Sequence, residues 1–258
     1  NRRLNHRARA QLDESLPQSY SLGALLRTMI YHHYPSPEAV ARAVAETAFV
    51  QPSQAGWVHI ALSGGSTPRL LFELLAEEPL RSAVDWSRVH LYWVDERCVP
   101  PTDPDSNYGM TEATLLRHVP IPQDQVHRIA GEKLPEREAK DYCWLVGSEL
   151  PFDGAFPVFD IVLLGLGEDG HTSSIFPHQM ELLTEEVPYA VGISPKGQHR
   201  IAMTGPTILA AKRILFHTTG EKKAPILQHI VEQAPEADAY PAAYIFRQRA
   251  DVELYTDV

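Results

Sequence analysis

The sequence predicts an α/β fold, with a mostly parallel β-sheet covered by helices on both faces. Two observations support this: short apolar runs typical of buried strands recur along the chain, and segments with apolar residues at helical spacing separate them. Parallel neighbours need a crossover connection between them, which is usually a helix, so this alternation favours a parallel sheet. Because no internal repeat or low-complexity linker interrupts the pattern, the sequence predicts one domain.

Composition narrows the class of protein. The chain has 258 residues, of which 44% are hydrophobic and 22% charged, and it is long enough for one α/β domain with a full core. No apolar stretch approaches the ~20 residues that span a membrane, so no membrane partner is expected. Cys98 and Cys143 are too few for a disulfide framework, which favours a reducing compartment, the cytoplasm. The formal net charge of −10 disfavours nucleic acid as a partner, and no pattern predicts an oligomeric state.

The first 28 residues differ from the rest of the chain. Residues 1–10 carry four arginines and no acidic residue. Arginine-rich, acid-poor starts can be targeting segments, but this one lacks the apolar core of a secretory signal. We predict that the domain comprises residues 29–258 and that residues 1–28 are an N-terminal extension of unassigned role.

Two helices and two strands are predicted in the first half of the domain. The hydroxyl of Ser36 and the proline after it are typical of a helix start, and apolar spacing continues to Ala48. A second helix begins at residues 66–68, Ser-Thr-Pro, with a leucine stripe at positions 70, 71, 74 and 75. Residues 57–62 and 89–94 are apolar runs that predict strands.

Polar segments follow three of the predicted strands. In the second half, strands are predicted at residues 159–164, 200–204, 214–217 and 252–255, and helices at 206–212 and 222–233. The polar segments are residues 63–68, 95–97 and 165–171. In open parallel sheets, ligands bind beyond the carboxyl ends of the strands, which meet at one edge. We therefore expect the three segments to line one pocket.

The segment Ser63-Gly64-Gly65-Ser66 lies between a predicted strand and a predicted helix. Glycines let the backbone approach an anion closely, and the free amides and hydroxyl at a helix start can bind phosphate oxygens. Gly64, Gly65 and Ser66 are therefore candidate phosphate ligands. The alternative is that the glycines only form a turn and that Ser66 only caps the helix.

An acidic protein that binds a phosphate ester needs positive charge at the site itself. Arg97 follows a strand directly and can contact a phosphate through two parallel hydrogen bonds. Lys196 and Arg200 lie just before and at the start of a later strand and are the other candidates. For all three, the alternative is a solvated surface charge. The cations at positions 212, 213, 222 and 223 are interpreted as ordinary surface residues.

Residues 165–170, Gly-Leu-Gly-Glu-Asp-Gly, match the spacing of a dinucleotide-binding loop. Glu168 and Asp169 disfavour that ligand, because they place negative charge where a pyrophosphate would lie. A different interpretation is a catalytic unit in which Asp169 orients the imidazole of His171 for general base catalysis. We expect a helix to begin at residues 171–174, with its amides facing a developing oxyanion. The alternative is a capping aspartate beside a surface histidine.

Four segments, in this order, resemble the 6-phosphogluconolactonase family, within the larger glucosamine-6-phosphate isomerase/lactonase superfamily. They are LSGGSTP at 62–68, WVDERCVPPTDPDSNYGM at 93–110, FDIVLLGLGEDGHTSSIFP at 159–177 and RIAMTGPTILAAKRILFHTTGEKKAPIL at 200–227. The deaminase branch typically has Asp-Glu-Tyr where this chain has Asp95-Glu96-Arg97, and a glutamate downstream of the residue matching His171 that this chain lacks. The lactonase branch is therefore favoured. A sugar-phosphate deaminase or isomerase on the same scaffold and a non-catalytic phosphosugar-binding regulator are the alternatives.

The resemblance implies a Rossmann-like three-layer αβα sandwich. It implies hydrolysis of 6-phospho-D-glucono-1,5-lactone to 6-phosphogluconate in the pentose phosphate pathway, with a small phosphosugar lactone as the partner. It also implies that His171 is the base and that Asp169, Arg97 and Lys196 belong to the active site. Attack of water on such an ester needs no cofactor, no metal and no covalent intermediate, so none is expected.

Overall fold

The protein is built around a six-stranded parallel sheet. A computed structural model describes residues 29–52 and 56–258, so the predicted extension, residues 1–28, lies outside the described residues. The strand order is β1-β11-β10-β7-β2-β3, and every neighbouring pair is parallel, which confirms the predicted sheet. The strands are β1 (Ile30–His33), β2 (Val58–Leu62), β3 (Val89–Trp93), β7 (Ile161–Leu164), β10 (Arg213–Thr218) and β11 (Glu253–Thr256).

The strand order reverses beside β2. The chain runs outward from β2 to β3, returns to β7 on the other side of β2, and then continues through β10 to β11. Such a reversal leaves a crevice between the loops that follow the two central strands, because those loops turn toward opposite faces of the sheet. The carboxyl ends of β2 and β7 therefore flank the natural binding position of this sheet.

Helices and short helical turns join the strands. Ser36 caps the first helix through its Oγ, which accepts a hydrogen bond of 3.2 Å from the amide of Ala39, and the proline after it starts the helix as predicted. The helices are α1 (Pro37–Ala45), α2 (Ser66–Leu75), α3 (Leu80–Ala83), α4 (Asn107–Thr111), α5 (Pro135–Glu149), α6 (Gly205–Ala210), α7 (Ala224–Glu232) and α8 (Pro241–Gln248). Wider π-turns extend α1 and α4 at Glu46–Val50 and Glu112–Leu116, and 3₁₀ turns lie at Trp86–Arg88, Gln123–Gln125, Pro177–Leu183, Glu221–Lys223 and Pro235–Ala239. No helix in the described part of the chain has both the length and the apolar character needed to cross a bilayer.

A second, antiparallel sheet continues from the carboxyl end of β3. The strand predicted at residues 200–204 exists, but it belongs to this sheet and not to the parallel one. Val94 joins the two sheets, because its amide donates to Leu62 of the parallel sheet at 2.8 Å and its carbonyl accepts from Met203 at 2.7 Å. The second sheet has the order β4-β9-β8, and a separate hairpin pairs β5 with β6; their bounds are β4 (Asp95–Arg97), β5 (Phe152–Asp153), β6 (Phe156–Pro157), β8 (Tyr189–Ile193) and β9 (His199–Met203).

Three histidines form a cluster near the amino ends of β2 and β3. His59 and His90 are neighbours in register on the two strands, with ring centroids 5.0 Å apart. Nδ1 of His90 lies 3.1 Å from Nε2 of His127. Burial lowers the pKa of all three rings, and the neighbouring His90 and His59 add to burial in lowering the pKa of His127 to about 4. The cluster is therefore neutral at neutral pH and lies at the sheet edge opposite the carboxyl ends of the strands.

We expect the protein to lose stability in mild acid because of this cluster. The unfolded chain protonates His127 near pH 6.5, whereas the folded chain resists protonation down to about pH 4, so stability is lost as the pH falls through 6.5. After a discount for partial exposure, His127 should lower the free energy of unfolding by about 1–2 kcal/mol between roughly pH 7.5 and pH 5. Urea denaturation at both pH values measures the loss.

The matched variants are His127→Phe and His118→Phe. The first removes the titrating ring of the cluster and should reduce the acid loss, while the second changes an exposed histidine outside the cluster and should retain it. Equal losses in His127→Phe and the unmodified protein would contradict this account.

Candidate active site

A cleft of about 950 Å³ lies at the carboxyl edge of the parallel sheet. Its lining includes residues 63–68 after β2, Asp95 and Arg97 after β3, and residues 165–169 with His171 after β7. The prediction that the three polar segments converge on one pocket is confirmed. Each candidate residue that the sequence suggested lines this cleft; they are Gly64, Gly65, Ser66, Arg97, Asp169, His171, Lys196 and Arg200.

The loop after β2 turns tightly between a strand and a helix. Gly65 has a φ of 109°, which other residues rarely adopt, and a side chain on Gly64 would overlap with the amide of Asn107. The Oγ of Ser63 donates to the carbonyl of Leu163 at 2.8 Å, which ties the loop to β7. Because α2 begins at Ser66, its first amides lack partners within the helix and point into the cleft region. The turn and the anion interpretations are therefore compatible.

Glu96 is a buried structural carboxylate and not a solvated surface charge. The side chain is 2% exposed. Its two oxygens accept hydrogen bonds from the amides of Arg97, Asn107 and Tyr108 at 2.7–2.8 Å and from Ser106 Oγ at 3.1 Å. Burial raises its pKa, and the three amide hydrogen bonds act in the opposite direction. Glu96 thus holds the loop that begins α4 against β4.

Asp95 connects three walls of the cleft. It is 7% exposed, and its Oδ2 accepts a hydrogen bond of 2.6 Å from Ser174 Oγ, three residues beyond His171. Nδ2 of Asn107 donates to the Asp95 carbonyl at 2.9 Å, while the same amide side chain packs on Gly64. The loops after β2, β3 and β7 are therefore fixed relative to one another.

Two arginines face each other on the antiparallel sheet. Arg97 on β4 pairs in register with Arg200 on β9. Nη1 of Arg97 donates to the carbonyl of Asp105 at 2.6 Å, but the Nε atoms of both arginines are buried without a hydrogen-bond partner among the described residues. Burial and the charge of Arg97 lower the pKa of Arg200. An anion between the guanidinium groups would satisfy both donors and relieve the repulsion.

Lys196 lies in the turn between β8 and β9 and is exposed at the mouth of the cleft. It shares this wall with Arg200, four residues later on β9. The structure therefore brings Lys196 to the same cleft as the two arginines, as an exposed charge.

Asp169 and His171 form a hydrogen-bonded pair. Oδ1 of Asp169 lies 2.5 Å from Nδ1 of His171 and also accepts from the His171 amide at 3.1 Å. Burial would raise the pKa of Asp169, but the hydrogen bond and charge of His171 outweigh it and lower that pKa. With Nδ1 donating to the carboxylate, Nε2 is left as the acceptor of the ring. The face of His171 rests on Phe176, with ring centroids 4.7 Å apart.

The glycines of residues 165–170 let the loop turn tightly around Asp169 and His171. A side chain on Gly167 would overlap with both the His171 ring and the Asp169 carboxylate. Gly170 has a φ of 83°, and its amide donates to the Gly167 carbonyl at 3.0 Å, while the Gly167 amide donates to the His171 carbonyl at 2.8 Å. The loop thus turns tightly enough to place a carboxylate beside an imidazole only two residues away.

The prediction that a helix begins at residues 171–174 is wrong. Ser173 has a left-handed φ of 53°, which cannot continue a right-handed helix, and the amide of Ile175 donates to Thr172 in a tight turn. The Oγ1 of Thr172 donates to Gly165 at 2.8 Å instead of capping a helix. The next helical turn begins at Pro177. Helix amides therefore do not face the cleft at this position.

Sequence reasoning missed two cations of the cleft. Lys222 and Lys223 line it, although they were interpreted as ordinary surface residues. Burial lowers the pKa of Lys223, while the charges of Glu168 and Asp169 act to raise it. The segment follows β10, a parallel strand whose carboxyl end lies at the same edge. The rule applied to the other three strands would have included it.

The chain matches known proteins over most of its length. A family model described as glucosamine-6-phosphate isomerases/6-phosphogluconolactonase matches residues 35–255. A 6-phosphogluconolactonase of Haemophilus influenzae is 40% identical over 229 residues, which are 89% of this chain and 97% of that protein. The structure of a 6-phosphogluconolactonase from Trypanosoma cruzi has a TM-score of 0.78 at 30% identity and covers 89% of this chain and 94% of that one.

One further structure bears on the fold alone. A monomeric glucosamine-6-phosphate deaminase has a TM-score of 0.74 at 21% identity and covers 88% of this chain and 97% of that chain. Together with the family match, it confirms the predicted three-layer α/β fold.

The Glu96→Gln substitution tests the anchoring of the cleft wall. An amide nitrogen would replace one of two carboxylate oxygens and would face a backbone amide that needs an acceptor. A buried donor left unpaired costs about 1–3 kcal/mol, so the free energy of unfolding should fall by about that amount. Urea denaturation measures the change.

Glu112→Gln is the matched control, since Glu112 makes only an exposed ion pair with Arg117 at 3.3 Å. Its effect should stay below about 0.5 kcal/mol. A similar small change for Glu96→Gln would show that the hydrogen bonds of Glu96 do not anchor the wall.

Proposed function

Since the chain belongs to the glucosamine-6-phosphate isomerase/6-phosphogluconolactonase family, we propose that its cleft opens the lactone ring with Asp169 and His171 as the base. The chain is a lactone hydrolase that converts 6-phosphogluconolactone to 6-phosphogluconate in the pentose phosphate pathway. The observation that carries the proposed mechanism is the hydrogen bond between Asp169 and Nδ1 of His171 at the edge of the cleft.

The proposed reaction is a direct attack of water on C1 of the lactone. Asp169 holds Nδ1 of His171, so Nε2 accepts a proton from the water as its oxygen bonds to C1. The carbonyl oxygen becomes a tetrahedral oxyanion, stabilised by a backbone amide or a cation of the cleft. The bond between C1 and the ring oxygen then breaks, and His171 returns its proton to that oxygen, leaving an open-chain carboxylic acid that ionises. This path uses no cofactor and no metal ion.

The phosphate of the substrate is assigned to the cationic side of the cleft. The amides of Gly64, Gly65 and Ser66 supply donors at the start of α2, and the unpartnered Nε atoms of Arg97 and Arg200 supply charge. Lys196 reaches the same wall from the β8–β9 turn. This assignment places an anion beside the two facing guanidinium charges.

We also assign Lys223 to the phosphate site, near the start of α2. The Oγ1 atoms of Thr67 and Thr219 are 3.1 Å apart, which joins the loop before α7 to the first turn of α2. Lys223 lies at the end of that loop and lines the cleft. Its half-buried ammonium group therefore belongs to the proposed phosphate site, a residue that sequence reasoning had left out.

A cytoplasmic location belongs to the same proposal. The thiols of Cys98 and Cys143 are both free, and a reducing compartment preserves them in that state. Burial raises the pKa of Cys98 to about 11 and also raises that of Cys143, so neither is an activated nucleophile.

Replacing the proposed base should abolish most of the turnover. His171→Ala is expected to lower kcat by at least ~10² with a modest change in KM, because the base acts on the attacking water and not on substrate binding. Lactone hydrolysis coupled to a 6-phosphogluconate dehydrogenase, corrected for the uncatalysed rate, measures this. His178→Ala is the control, since His178 stacks on the same Phe176 but does not line the cleft. Near-normal turnover of His171→Ala would overturn the mechanism.

The phosphate assignment predicts a substrate-dependent loss. Arg200→Gln and Lys223→Gln each remove a charged donor worth about 1.5–3 kcal/mol, so kcat/KM for the phosphorylated lactone should fall about 10–100-fold. With glucono-1,5-lactone, which has no phosphate, the same variants should change kcat/KM less than about threefold. Arg117→Gln, at an exposed arginine outside the cleft, should change neither. Equal losses with both substrates would argue against a phosphate site at these residues.

A further inference from the structure

Gly170, the residue between Asp169 and His171, is in contact with an aromatic ring. Its φ of 83° turns the backbone so that its Cα faces Tyr240, and a Cβ at this position would overlap with Cβ, Cγ and Cδ1 of that tyrosine. The carbonyl of Gly170 also accepts a hydrogen bond of 3.1 Å from the amide of Ala242 in the first turn of α8. The segment that begins α8 therefore contacts the proposed base loop through both a side chain and the backbone.

Tyr240 is itself held by α7. Its hydroxyl lies 2.9 Å from Nδ1 of His229, and the two rings are nearly parallel, with 14° between their planes. The backbone amide of Tyr240 donates to Ala237 at 3.1 Å, closing the turn before α8. Ring, hydroxyl and backbone are thus each restrained, so the tyrosine presents a fixed surface to Gly170.

The same contact links the base loop to the cations of the cleft. His229 lies in α7, which begins one residue after Lys223. A displacement of α7 would therefore be transmitted through His229 and Tyr240 to the backbone between Asp169 and His171. Neither Tyr240 nor His229 lines the cleft, so neither touches the substrate.

We propose that Tyr240 is a positioning residue for the reaction, which keeps Gly170 in its left-handed conformation and so holds Asp169 against His171. The proposal rests on the assignment of Asp169 and His171 as the base. Gly170 has intrinsic freedom that no other residue type has, and a loop with such freedom needs an external restraint to hold a catalytic pair within a fraction of an ångström. The flat ring supplies that restraint, and the hydrogen bond to His229 orients the ring.

Tyr240→Ala and Tyr240→Phe separate the ring from the hydroxyl. We expect Tyr240→Ala to lower kcat about 10–100-fold with KM changed less than about threefold, because a misplaced base slows the chemical step and not binding. Tyr240→Phe keeps the contact with Gly170 and should restore kcat to within about threefold of the original rate.

Tyr244→Ala is the matched control within α8. Tyr244 is partly buried and packs on the core, and its atoms are not among the three nearest to a Cβ placed on Gly170, so its loss reports any general effect of weakening α8. Tyr240→Leu is the second variant if Tyr240→Ala does not fold, since it keeps bulk at the site without the flat ring. An unchanged kcat, or losses equal to those of Tyr244→Ala, would overturn the proposal.

A double substitution distinguishes this proposal from the one on which it rests. If Tyr240 acts through the base, Tyr240→Ala should have no further effect on kcat in a His171→Ala background. A full 10–100-fold additional loss there would overturn the positioning role while leaving the base assignment intact. If His171→Ala alone retains near-normal turnover, the base assignment itself fails.

Discussion

The polar groups that follow the carboxyl ends of a parallel sheet have no partners within the sheet. The cleft depends on how this chain pairs those groups with one another. Inside the sheet, each strand forms backbone hydrogen bonds with its parallel neighbours. Beyond the last residue of β2, β3, β7 and β10, the chain must turn, and polar groups at each turn find partners in the other turns. The site is therefore a network of loop-to-loop hydrogen bonds carried by four rigid strands.

Two carboxylates adjacent in sequence have different functions in that network. Glu96 faces away from the cleft and accepts three hydrogen bonds from the segment that begins α4 and one from the amide of Arg97. Asp95 faces the cleft and accepts from Ser174 and Asn107. Together they position Arg97 opposite Arg200, which produces a concentration of positive charge in a chain whose formal net charge is −10.

The predictable parts of the fold are those whose buried apolar residues recur at the spacing of a strand or a helix. The parallel strands are short apolar runs, α1 begins with a capping serine and a proline, and α2 begins at Ser66 as residues 66–68 predict. The fifteen-residue helix α5 was missed, because its buried face contains Glu138 together with only three well-buried apolar side chains. That carboxylate is satisfied by the amide of Ala130 at 2.7 Å and by Lys133 at 3.0 Å, contacts that lie outside the helix and leave no periodic signal.

The sequence predicts which strand ends form the candidate site. It does not predict most of the hydrogen bonds that join the loops after those strands. The pairing of Asp169 with His171 followed from their spacing. Apart from the adjacent Arg97 amide, the partners of Asp95 and Glu96 lie 10 to 79 residues away. The helix expected after His171 failed because Ser173 adopts a left-handed φ, a conformation for which the sequence has no glycine as a signal. Tertiary hydrogen bonds, which local pattern does not encode, decide both outcomes.

The junction at Val94 constrains how this protein can change its length. One residue separates β3 from β4, and along β4 the side chains alternate, so Asp95 and Arg97 face the cleft while Glu96 faces the loop before α4. Inserting or deleting one residue here would exchange those faces, exposing Glu96 to the cleft and burying two groups without partners. A substitution keeps the alternation of faces, whereas a change of length by one residue does not.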